Sequence, residues 1–584
     1  MIRGSRRSVA PHPAVGPPLR SWGHPIGPIL ALLGFTAVVY GPMLNISFLG
    51  DDYVFLDKTR AARFADLWSF RNTDFGWYRP WSREVHFWFM QRLVGTHEVG
   101  FRLASVLLWL CALGAYGAYI RTFASRRTAW IATLGSAALA LWVAPLLWIS
   151  GSQDLWMAAL GMLALWLFAR GRTVWALLPY ALALLSKETA AVLPVIAFGY
   201  AWLVMENPPV KAFQRVLPWL LLTVVWLCVH PALIHRLTAP GSTAGEPHPA
   251  APTLVLHTLL SVVNANWLGQ PLDAVAFNPL RTGAATLLLL AGVLLALPAP
   301  AAGPSADSTN AEMARCVRFG AWWSVAGWLP LLHPSIGWHP YYGCIGALGA
   351  WLVLGGWLAR RASLVVPAIL ALGLLHGVSG AARSWDWGSE WYQRRAGNLL
   401  GVIRDQLRQQ HPTLPAHSRL FFGSIPNNIG LVAGQSPAVR VWYGDTTLEA
   451  GFYSYYAPRS SGRPAGPDLF FLFDSTSGLR EVHLGPEDVT RAVREQPDWQ
   501  TNHESLAMLL LSHGDPLGAA GEFEKLASLP RRSDALMYAA VCREIAGERA
   551  RADSLYALFG QRTGGTRAQI EEYSARLRAS VPGR

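Results

Sequence analysis

Two adjacent carboxylates, Asp51 and Asp52, directly follow the first long apolar stretch of the chain. Charged groups beside a membrane segment are costly to place, so an acidic pair there indicates a functional site. One ionised carboxylate can take a proton from a hydroxyl, and a second can orient it or share a divalent cation. The alternative is a helix N-cap, because an aspartate before Tyr53 would accept hydrogen bonds from free backbone donors. We predict a catalytic base at Asp51 or Asp52 and leave open whether the pair also holds Mg²⁺ or Mn²⁺.

A basic and an acidic residue, Lys187 and Glu188, stand together between two later apolar stretches. A lysine ammonium is a compact charge suited to a phosphate oxygen, and Glu188 would hold it in place. The alternative is a lysine that only extends its ammonium from a helix end towards water. The sequence predicts substrate binding by both residues.

Arg79, Arg83 and His86 lie in an aromatic stretch that begins at Trp77. An arginine flanked by aromatic rings can stack on its neighbours, or it can clamp an anionic lipid headgroup or a sugar. The residue types favour neither reading over the other. We predict substrate binding by these three residues and keep stacking as the alternative.

Asp154 and His339 complete the candidate set. Asp154 ends the run Trp148–Asp154, which is either a tight turn or part of a polar site. His339 lies six residues after His333, among prolines and aromatic residues. That spacing is a poor pattern for a metal site, so we favour a contact with a lipid headgroup or a substrate.

Apolar elements must position these residues, because the chain is 52% hydrophobic and only 15% charged. Soluble proteins average about 25% charged residues. Apolar stretches near the ~20 residues that cross a bilayer recur along the chain. We predict eleven spans, at 28–48, 99–120, 128–149, 154–169, 173–186, 190–206, 215–235, 283–300, 319–337, 343–358 and 363–381.

The charges between these spans predict the orientation of the protein. Cytoplasmic loops are enriched in lysine and arginine, and every second connection here is basic, at Arg3, Arg6, Arg7, Arg20, Arg126, Arg127, Arg170, Arg172, Lys211, Arg215, Arg315, Arg318, Arg360 and Arg361. This parity predicts a multi-pass protein of the inner (plasma) membrane with a cytoplasmic N-terminus. Asp51, Asp52 and the C-terminal part then face the extracytoplasmic side.

Four regions follow from this division. We predict a disordered cytoplasmic tail at 1–27, a membrane domain at 28–383, a soluble α/β unit at 384–485 and a helical segment at 486–584. The first outer loop, 49–98, is rich in aromatic and charged residues. That composition favours short helices lying in the membrane interface.

The C-terminal part combines buried strands with a weak repeat. Arg419–Ser424 and Asp468–Phe473 are apolar runs typical of strands. Further on, His513–Asp515 aligns with Ala546–Glu548 at an offset of 33 residues, close to the ~34 residues of a tetratricopeptide repeat. We predict a TPR-like segment, with an ordinary bundle of helical hairpins as the alternative.

The sequence also excludes several functions. The net charge of +13 does not indicate a nucleic-acid partner, because many basic residues lie in the connections between spans. No P-loop, Rossmann glycine pattern, GxSxG or HExxH motif is present. An enzyme whose acids face away from the cytosol cannot use cytosolic nucleotide sugars, so it would need a donor carried on a lipid.

Four stretches resemble the GT-C class of integral membrane glycosyltransferases: Gly50–Tyr53, Tyr78–Pro80, Trp148–Asp154 and Leu184–Ala190. The chain is more closely similar to the branch with C-terminal tetratricopeptide repeats, which includes the protein O-mannosyltransferase-like and TMTC-type proteins. The resemblance covers most of residues 28–200. Together with the eleven predicted spans, it leads us to expect a polytopic α-helical membrane protein with a GT-C-like fold.

The resemblance further implies a polyprenyl- or dolichyl-phosphate sugar donor and transfer on the outer face, to a protein or glycan acceptor. Carried over by position, Asp51 or Asp52 is the catalytic base, with Asp51 as the family-like first acid. Family members carry an acidic, basic and aromatic stretch near span ten. Here Trp338–Tyr342 occupies that place, and His339 stands for the missing arginine.

The expected activity is therefore an inverting glycosyl transfer, and two alternatives stay open. A lipid or sugar transporter predicts inverted repeats and ionisable groups at mid-membrane depth, whereas the charges here cluster at the ends of spans. A non-catalytic membrane scaffold that presents helical repeats would explain the tail but not the polar clusters on the outer side.

Overall fold

The computed structural model describes residues 26–231, 233, 250–268, 278–296, 306–333, 338–382, 389–423, 425, 435–452, 466–474, 477–482, 503–504, 507–508, 510–511, 514–528 and 532–580. The predicted tail 1–27 lies outside these residues except for its last two positions, which begin the first helix.

Helices dominate the first two-thirds of the chain. Apolar sequences fold this way in a membrane because a helix satisfies every backbone hydrogen bond within its own segment. In chain order the helices are α1 (Ile26–Tyr40), α2 (Asp51–Arg60), α3 (His86–Val94), α4 (Glu98–Ile120), α5 (Arg126–Ala137), α6 (Val143–Leu147), α7 (Ser152–Ala169), α8 (Thr173–Leu184), α9 (Leu193–Gly199), α10 (Pro209–Val229), α11 (Ala251–Ser261), α12 (Pro279–Ala296), α13 (Ala306–Trp328), α14 (Cys344–Leu358) and α15 (Ala362–Ala381).

Seven helical segments of the described residues are long and apolar enough to span a membrane, at Ile26–Met43, Glu98–Ile120, Ile149–Ala169, Pro209–Val229, Pro279–Ala296, Pro340–Leu358 and Ser363–Ala381. The bent pair Arg126–Ala137 and Ala140–Leu147 makes eight if it is one span. Three of the eleven predicted spans do not qualify. Helix α8 and Glu188–Val204 are short, since the 12 residues of α8 reach only about 18 Å of a ~30 Å core. Charged residues interrupt the first half of α13.

Two of the connections predicted as cytoplasmic, the one after α4 and the one that leads into α13, lie at the same end of the helix bundle. Glu312, in α13, accepts hydrogen bonds from Ser125 N at 2.9 Å and Thr128 Oγ1 at 2.7 Å. Arg315 donates to Phe123 O in the same connection. The connection after α4 and the beginning of α13 therefore share one side of the bundle. Which face of a membrane that side meets stays a prediction.

A break between α5 and α6 redirects the chain by 53°, and two side chains satisfy the backbone groups that the break leaves free. Asn264 accepts from Ala140 N at 2.7 Å and donates to Ala138 O at 2.9 Å. His376 Nδ1 donates to the same carbonyl at 2.9 Å. Asn264 has a φ of 59°, a conformation in which asparagine is enriched. The turn carries the chain through α6 to Ser150.

The loop 49–98, predicted as the first outer loop, folds into short helices, which confirms that part of the prediction. Besides α2 and α3 it contains one-turn helices at Phe64–Trp68, Asp74–Gly76 and Trp81–Val85. Their location in a membrane interface stays a prediction. Between the predicted spans 215–235 and 283–300, residues 251–261 also form a helix, α11.

A four-stranded sheet follows the membrane helices. Helix α16 (Glu390–Gln410) leads into β1 (Arg419–Gly423), α17 (Gln435–Tyr443), β2 (Glu449–Phe452), β3 (Asp468–Asp474) and β4 (Gly478–Val482). The strand order is β2-β1-β3-β4, with β1 parallel to both neighbours and β4 antiparallel to β3. Both predicted strands are present, as β1 and β3.

The sheet unit packs directly on the helix that carries the acidic pair. The rings of Tyr53 in α2 and Trp442 in α17 meet edge to face at 5.7 Å. Arg440, also in α17, forms an ion pair with Asp57 at 3.4 Å. One hydrophobic core unites α2, α3, α16 and the sheet.

The last described helices are α18 (Pro516–Ala527), α19 (Ser533–Ile545), α20 (Arg549–Thr563) and α21 (Arg567–Ser580). Helices α18 and α20 begin 33 residues apart, and the glycines before them, Gly514 and Gly547, both have positive φ. The 33-residue offset is therefore a structural repeat of this pair. His513 lies outside the described residues, and the tetratricopeptide identity stays a prediction.

Candidate active site

Asp52 is completely buried in the first turn of α2. Its Oδ1 accepts from Ser150 N at 2.7 Å and Ser150 Oγ at 2.5 Å, and its Oδ2 accepts from Leu49 N at 2.9 Å. Burial raises the pKa of Asp52 to about 6, although these hydrogen bonds and the charge of Arg102 act to lower it. The carboxylate therefore ties the beginning of α2 to the turn before α7.

Asp51, the neighbouring carboxylate, is partly exposed. In the described part of the chain no group donates a hydrogen bond to it. Desolvation raises the pKa of Asp51 to about 7, and the charge of Asp52 adds to this, while Arg83 and Arg79 act to lower it. A carboxyl whose pKa lies near the working pH can both accept and release a proton.

The chain enters α2 through a glycine that the backbone requires. Gly50 has a φ of 54° and a ψ of −111°, a combination that side-chain-bearing residues rarely adopt. No side chain caps this helix, and Asp52 bonds back to Leu49 instead. The N-cap alternative for the acidic pair is therefore wrong.

Arg79 forms a bidentate ion pair with Glu188, with Nε 3.0 Å from Oε1 and Nη2 2.5 Å from Oε2. Its Nη1 donates to Gln153 Oε1 at 2.7 Å, and Gln153 Nε2 donates to Ser150 O at 2.8 Å. Because Ser150 also bonds Asp52, a continuous hydrogen-bonded path runs from the buried acid to Arg79 and Glu188. Four separate stretches of the sequence meet along this path.

Arg79 also stacks, since its guanidinium carbon lies 5.0 Å from the ring of Trp77. Glu188 has a further neighbour, His230, whose Nε2 is 3.7 Å from Oε1. Stacking and ion pairing therefore coexist at Arg79.

Lys187 and Asp154 form a buried ion pair. The ammonium nitrogen lies 2.6 and 2.7 Å from the two carboxylate oxygens, and both side chains are 8% exposed. The same nitrogen lies 5.3 and 5.0 Å from the ring centres of Tyr341 and Tyr342. Lys187 does not extend towards water, so the alternative of a lysine at a wetted helix end is wrong.

Arg83 is buried within the first outer loop and donates to backbone carbonyls of Asn72, Asp74 and Trp77 at 3.2, 3.0 and 2.7 Å. It closes the loop on itself while its charge acts on Asp51. A direct contact between Arg83 and substrate stays a prediction.

His86 is buried, and its Nδ1 accepts from Trp156 Nε1 at 3.2 Å. Burial lowers the pKa of His86 to about 4, so the ring is neutral near pH 7. His339 stacks on Tyr341, with ring centres 5.7 Å apart and planes 20° from parallel. His339 is thus one ring removed from Lys187. Substrate binding by either histidine stays a prediction.

The carboxylates of Asp51 and Asp52 offer few free oxygen ligands to a divalent cation. Both oxygens of Asp52 accept protein hydrogen bonds, which leaves Asp51 as a single carboxylate. The described residues contain no group of three or more His, Cys, Asp or Glu side chains arranged for a metal. Mg²⁺ or Mn²⁺ dependence therefore stays a prediction.

The sequence-based candidate set lacks two residues of the path, Ser150 and Gln153, and it lacks Arg102, whose charge acts on Asp52. The first two lie inside the recognised stretch before Asp154, but their types do not distinguish them from turn residues. Arg102 is a fully buried arginine in α4, and a charge within an apolar span is the signal that would have identified it.

No family model matches this chain, and no curated protein matches it. Two solved structures do, both of ArnT from Cupriavidus metallidurans. The one bound to undecaprenyl phosphate is 14% identical, covers 77% of this chain and 93% of its own, and has a TM-score of 0.37. The apo structure is 14% identical, covers 77% and 94%, and has a TM-score of 0.35. Likeness at this level does not establish a shared function.

Proposed function

We propose that this chain is a membrane glycosyltransferase that moves a sugar from a polyprenyl-phosphate donor to a hydroxyl of a protein or glycan acceptor, on the extracytoplasmic face. The observation that carries the proposal is the difference between two adjacent carboxylates. Asp52 is held by three hydrogen bonds, whereas Asp51 is partly exposed, has a pKa near 7 and feels two guanidinium groups. That state suits a general base.

In the proposed reaction Asp51 takes the proton of the acceptor hydroxyl while the hydroxyl oxygen attacks the anomeric carbon. The bond between that carbon and the phosphate oxygen breaks, and its electron pair leaves with the polyprenyl phosphate. A single displacement inverts the anomeric configuration. Asp51 loses one negative charge as the phosphate gains one, so the net charge of the site does not change.

This charge balance gives the arginines a role. Before the reaction Arg79 and Arg83 favour the ionised form of Asp51. Once Asp51 is protonated, their field acts on the leaving phosphate instead. Charge that is already in position is usually the largest catalytic contribution, and the bonds from Arg79 to Glu188 and Gln153 fix its guanidinium in advance.

The test is release of lipid phosphate by purified protein in lipid nanodiscs. Synthetic polyprenyl-phosphate hexoses are supplied with a hydroxyl acceptor, and polyprenyl phosphate is measured by mass spectrometry. We expect release by the wild type and almost none by Asp51→Asn. A transporter would move the intact donor between leaflets without releasing phosphate, and a scaffold would do neither.

The proposed orientation is tested separately. Asp66 is an exposed residue of the same loop, 48% exposed at its side chain. A cysteine introduced there should react with a membrane-impermeant maleimide in intact cells or, in a double-membraned cell, after opening of the outer membrane alone. Reaction only after lysis of the inner membrane would place the acidic pair on the cytosolic side and contradict the proposal.

A further inference from the structure

One face of α2 is occupied by three residues, and Asp51 lies on the other side of the helix. Tyr53, Asp57 and Arg60 follow one another at intervals of four and three residues, which places them on the same face. Asp51 comes two residues before Tyr53, about 200° around a helix of 3.6 residues per turn. Whatever holds the first face therefore sets the direction in which the Asp51 carboxylate points.

Two contacts join this face to α17 of the sheet unit. The ring of Trp442 meets that of Tyr53 edge to face at 5.7 Å, and both side chains are buried. Beside them Arg440 forms an ion pair with Asp57 at 3.4 Å. Arg60 pairs with Asp57 at 3.1 Å and donates to the carbonyl of Arg440 at 3.0 Å. Ring packing and polar contacts together fix the rotation of α2 as well as its distance from α17.

The residues of α17 that make these contacts are themselves fixed within the sheet unit. Arg440 Nε donates to Leu448 O at 2.8 Å, immediately before β2. The carbonyl of Trp442 accepts a hydrogen bond from Arg408 of α16. The orientation of the sheet unit is therefore passed to α2 through α17.

The beginning of α2 and the nearby guanidinium are held by the membrane helices instead. Asp52 accepts from both donors of Ser150, and Arg79, whose charge acts on Asp51, is paired with Glu188. A change in the tilt or rotation of α2 would therefore move Asp51 relative to Arg79. Reaction geometry is sensitive to such shifts, because a misplacement of about 1 Å can cost about 10²-fold in rate.

We propose that Arg440 and Trp442 are positioning residues for the proposed reaction. By holding Asp57 and Tyr53 on one face of α2, they keep Asp51 on the other face directed at the acceptor hydroxyl. The inference rests on the proposed function and adds two residues of the sheet unit to it. Because both act through α2, their loss should change the rate of the reaction and not the binding of the donor lipid.

The experiment measures release of polyprenyl phosphate from a synthetic polyprenyl-phosphate hexose in nanodiscs, per folded protein. Trp442→Ala removes the ring against Tyr53, and we expect kcat to fall about 10²-fold with an unchanged KM for the donor lipid. Trp442→Phe keeps a ring and should restore most of this loss. Arg440→Gln breaks the partly exposed ion pair with Asp57 and should lower kcat about threefold.

The pH dependence separates positioning from stability. Desolvation is the main cause of the raised pKa of Asp51, so a loosened α2 that admits water lowers this pKa. The basic form then persists to lower pH, and we expect the acid decline of kcat/KM to move to lower pH in Trp442→Ala. A residue that only stabilises the fold would change the melting temperature and leave this decline where it is.

Arg419→Gln is the matched control, because it also breaks an ion pair of the sheet unit, the one with Asp468 between β1 and β3. It should keep the wild-type kcat. Hydrogen exchange of the α2 amides, followed by mass spectrometry, reports the orientation of the helix without turnover. We expect faster exchange in Trp442→Ala and Arg440→Gln but not in Arg419→Gln.

Wild-type kcat and wild-type exchange in Arg440→Gln, which decides alone if Trp442→Ala does not fold, would overturn the inference and leave the proposed function intact. A wild type that releases no polyprenyl phosphate would overturn the proposed function itself, and the inference with it.

Discussion

Asp52 and Asp51 are adjacent in the first turn of α2, but the two regions that surround their carboxylates differ. Around Asp52, the backbone of Leu49 and both donors of Ser150 occupy the oxygens. Around Asp51, Arg79 and Arg83 contribute charge, but no described side chain donates to the carboxylate. The first region fixes the end of the helix, and the second leaves a group free to exchange a proton. Adjacent positions on one helix can thus divide structural and chemical roles.

Replacing Asp51, the carboxylate of the second region, should have the largest effect on activity. Asp51→Asn keeps the size of the side chain but removes the base, and a positioned base typically contributes 10²–10⁴-fold. We expect kcat to fall within that range and the melting temperature to stay unchanged. Asp66→Asn, an exposed replacement in the same loop, is the control. If Asp51→Asn keeps more than a tenth of the wild-type activity, Asp51 is not the base and the proposed division of roles between Asp51 and Asp52 is wrong.

Replacing Asp52, the carboxylate of the first region, should mainly lower the stability of the protein. Asp52→Ala leaves Leu49 N and Ser150 N buried without acceptors, and each such group costs about 1–3 kcal/mol. We expect a clearly lower melting temperature in detergent. Ser150→Ala, which keeps the backbone N–H, should lower it less. If Asp52→Ala has the same melting temperature as the wild type, the hydrogen bonds at Asp52 do not stabilise the beginning of α2.

The pH dependence sharpens the comparison. Because the pKa of Asp51 is raised to about 7, its basic form is lost as the pH falls through that value. We expect kcat/KM to decline below pH 7, approaching tenfold per pH unit. Removing the like charge with Asp52→Asn lowers the pKa of Asp51, so the decline should move to lower pH in the protein that remains folded. A kcat/KM that does not change from about two pH units below the pKa of Asp51 to about one unit above it would contradict the assignment of Asp51 as the base.

The smallest effect is expected at Arg79. Arg79→Lys keeps the charge but loses the bidentate contact with Glu188 and the bond to Gln153. Loss of two such hydrogen bonds, each worth about 0.5–1.5 kcal/mol, predicts roughly a tenfold lower kcat/KM for the donor. Lys58→Arg is the matched control, because it also keeps the charge of a cation in the same loop while changing its contacts with Asp74 and Glu84. A larger effect at Lys58 than at Arg79 would move the phosphate to the other side of Asp51.

The sequence predicts the helical membrane architecture and two of the strands because hydrophobic pattern and length carry that information. It also selects four stretches whose residues Asp52, Arg79, Asp154, Lys187 and Glu188 do converge. It does not separate the two aspartates, because Asp52 accepts hydrogen bonds from Ser150 and lies near the charge of Arg102, and both residues are far away in the chain. The predicted spans at α8, Glu188–Val204 and α13 do not qualify as membrane-spanning helices, because an apolar average does not report where a helix ends or where its charges fall.

The packing of α17 on α2 has a consequence for how the protein can be divided. The boundary between membrane and soluble parts, drawn at residue 384 from hydropathy, is not a boundary of the hydrophobic core, because Tyr53 and Leu56 are buried in the same cluster as Trp442 and Phe422. A fragment ending at residue 383 would expose one flank of the acid-bearing helix. The loop and the sheet therefore belong together on any fragment chosen for expression.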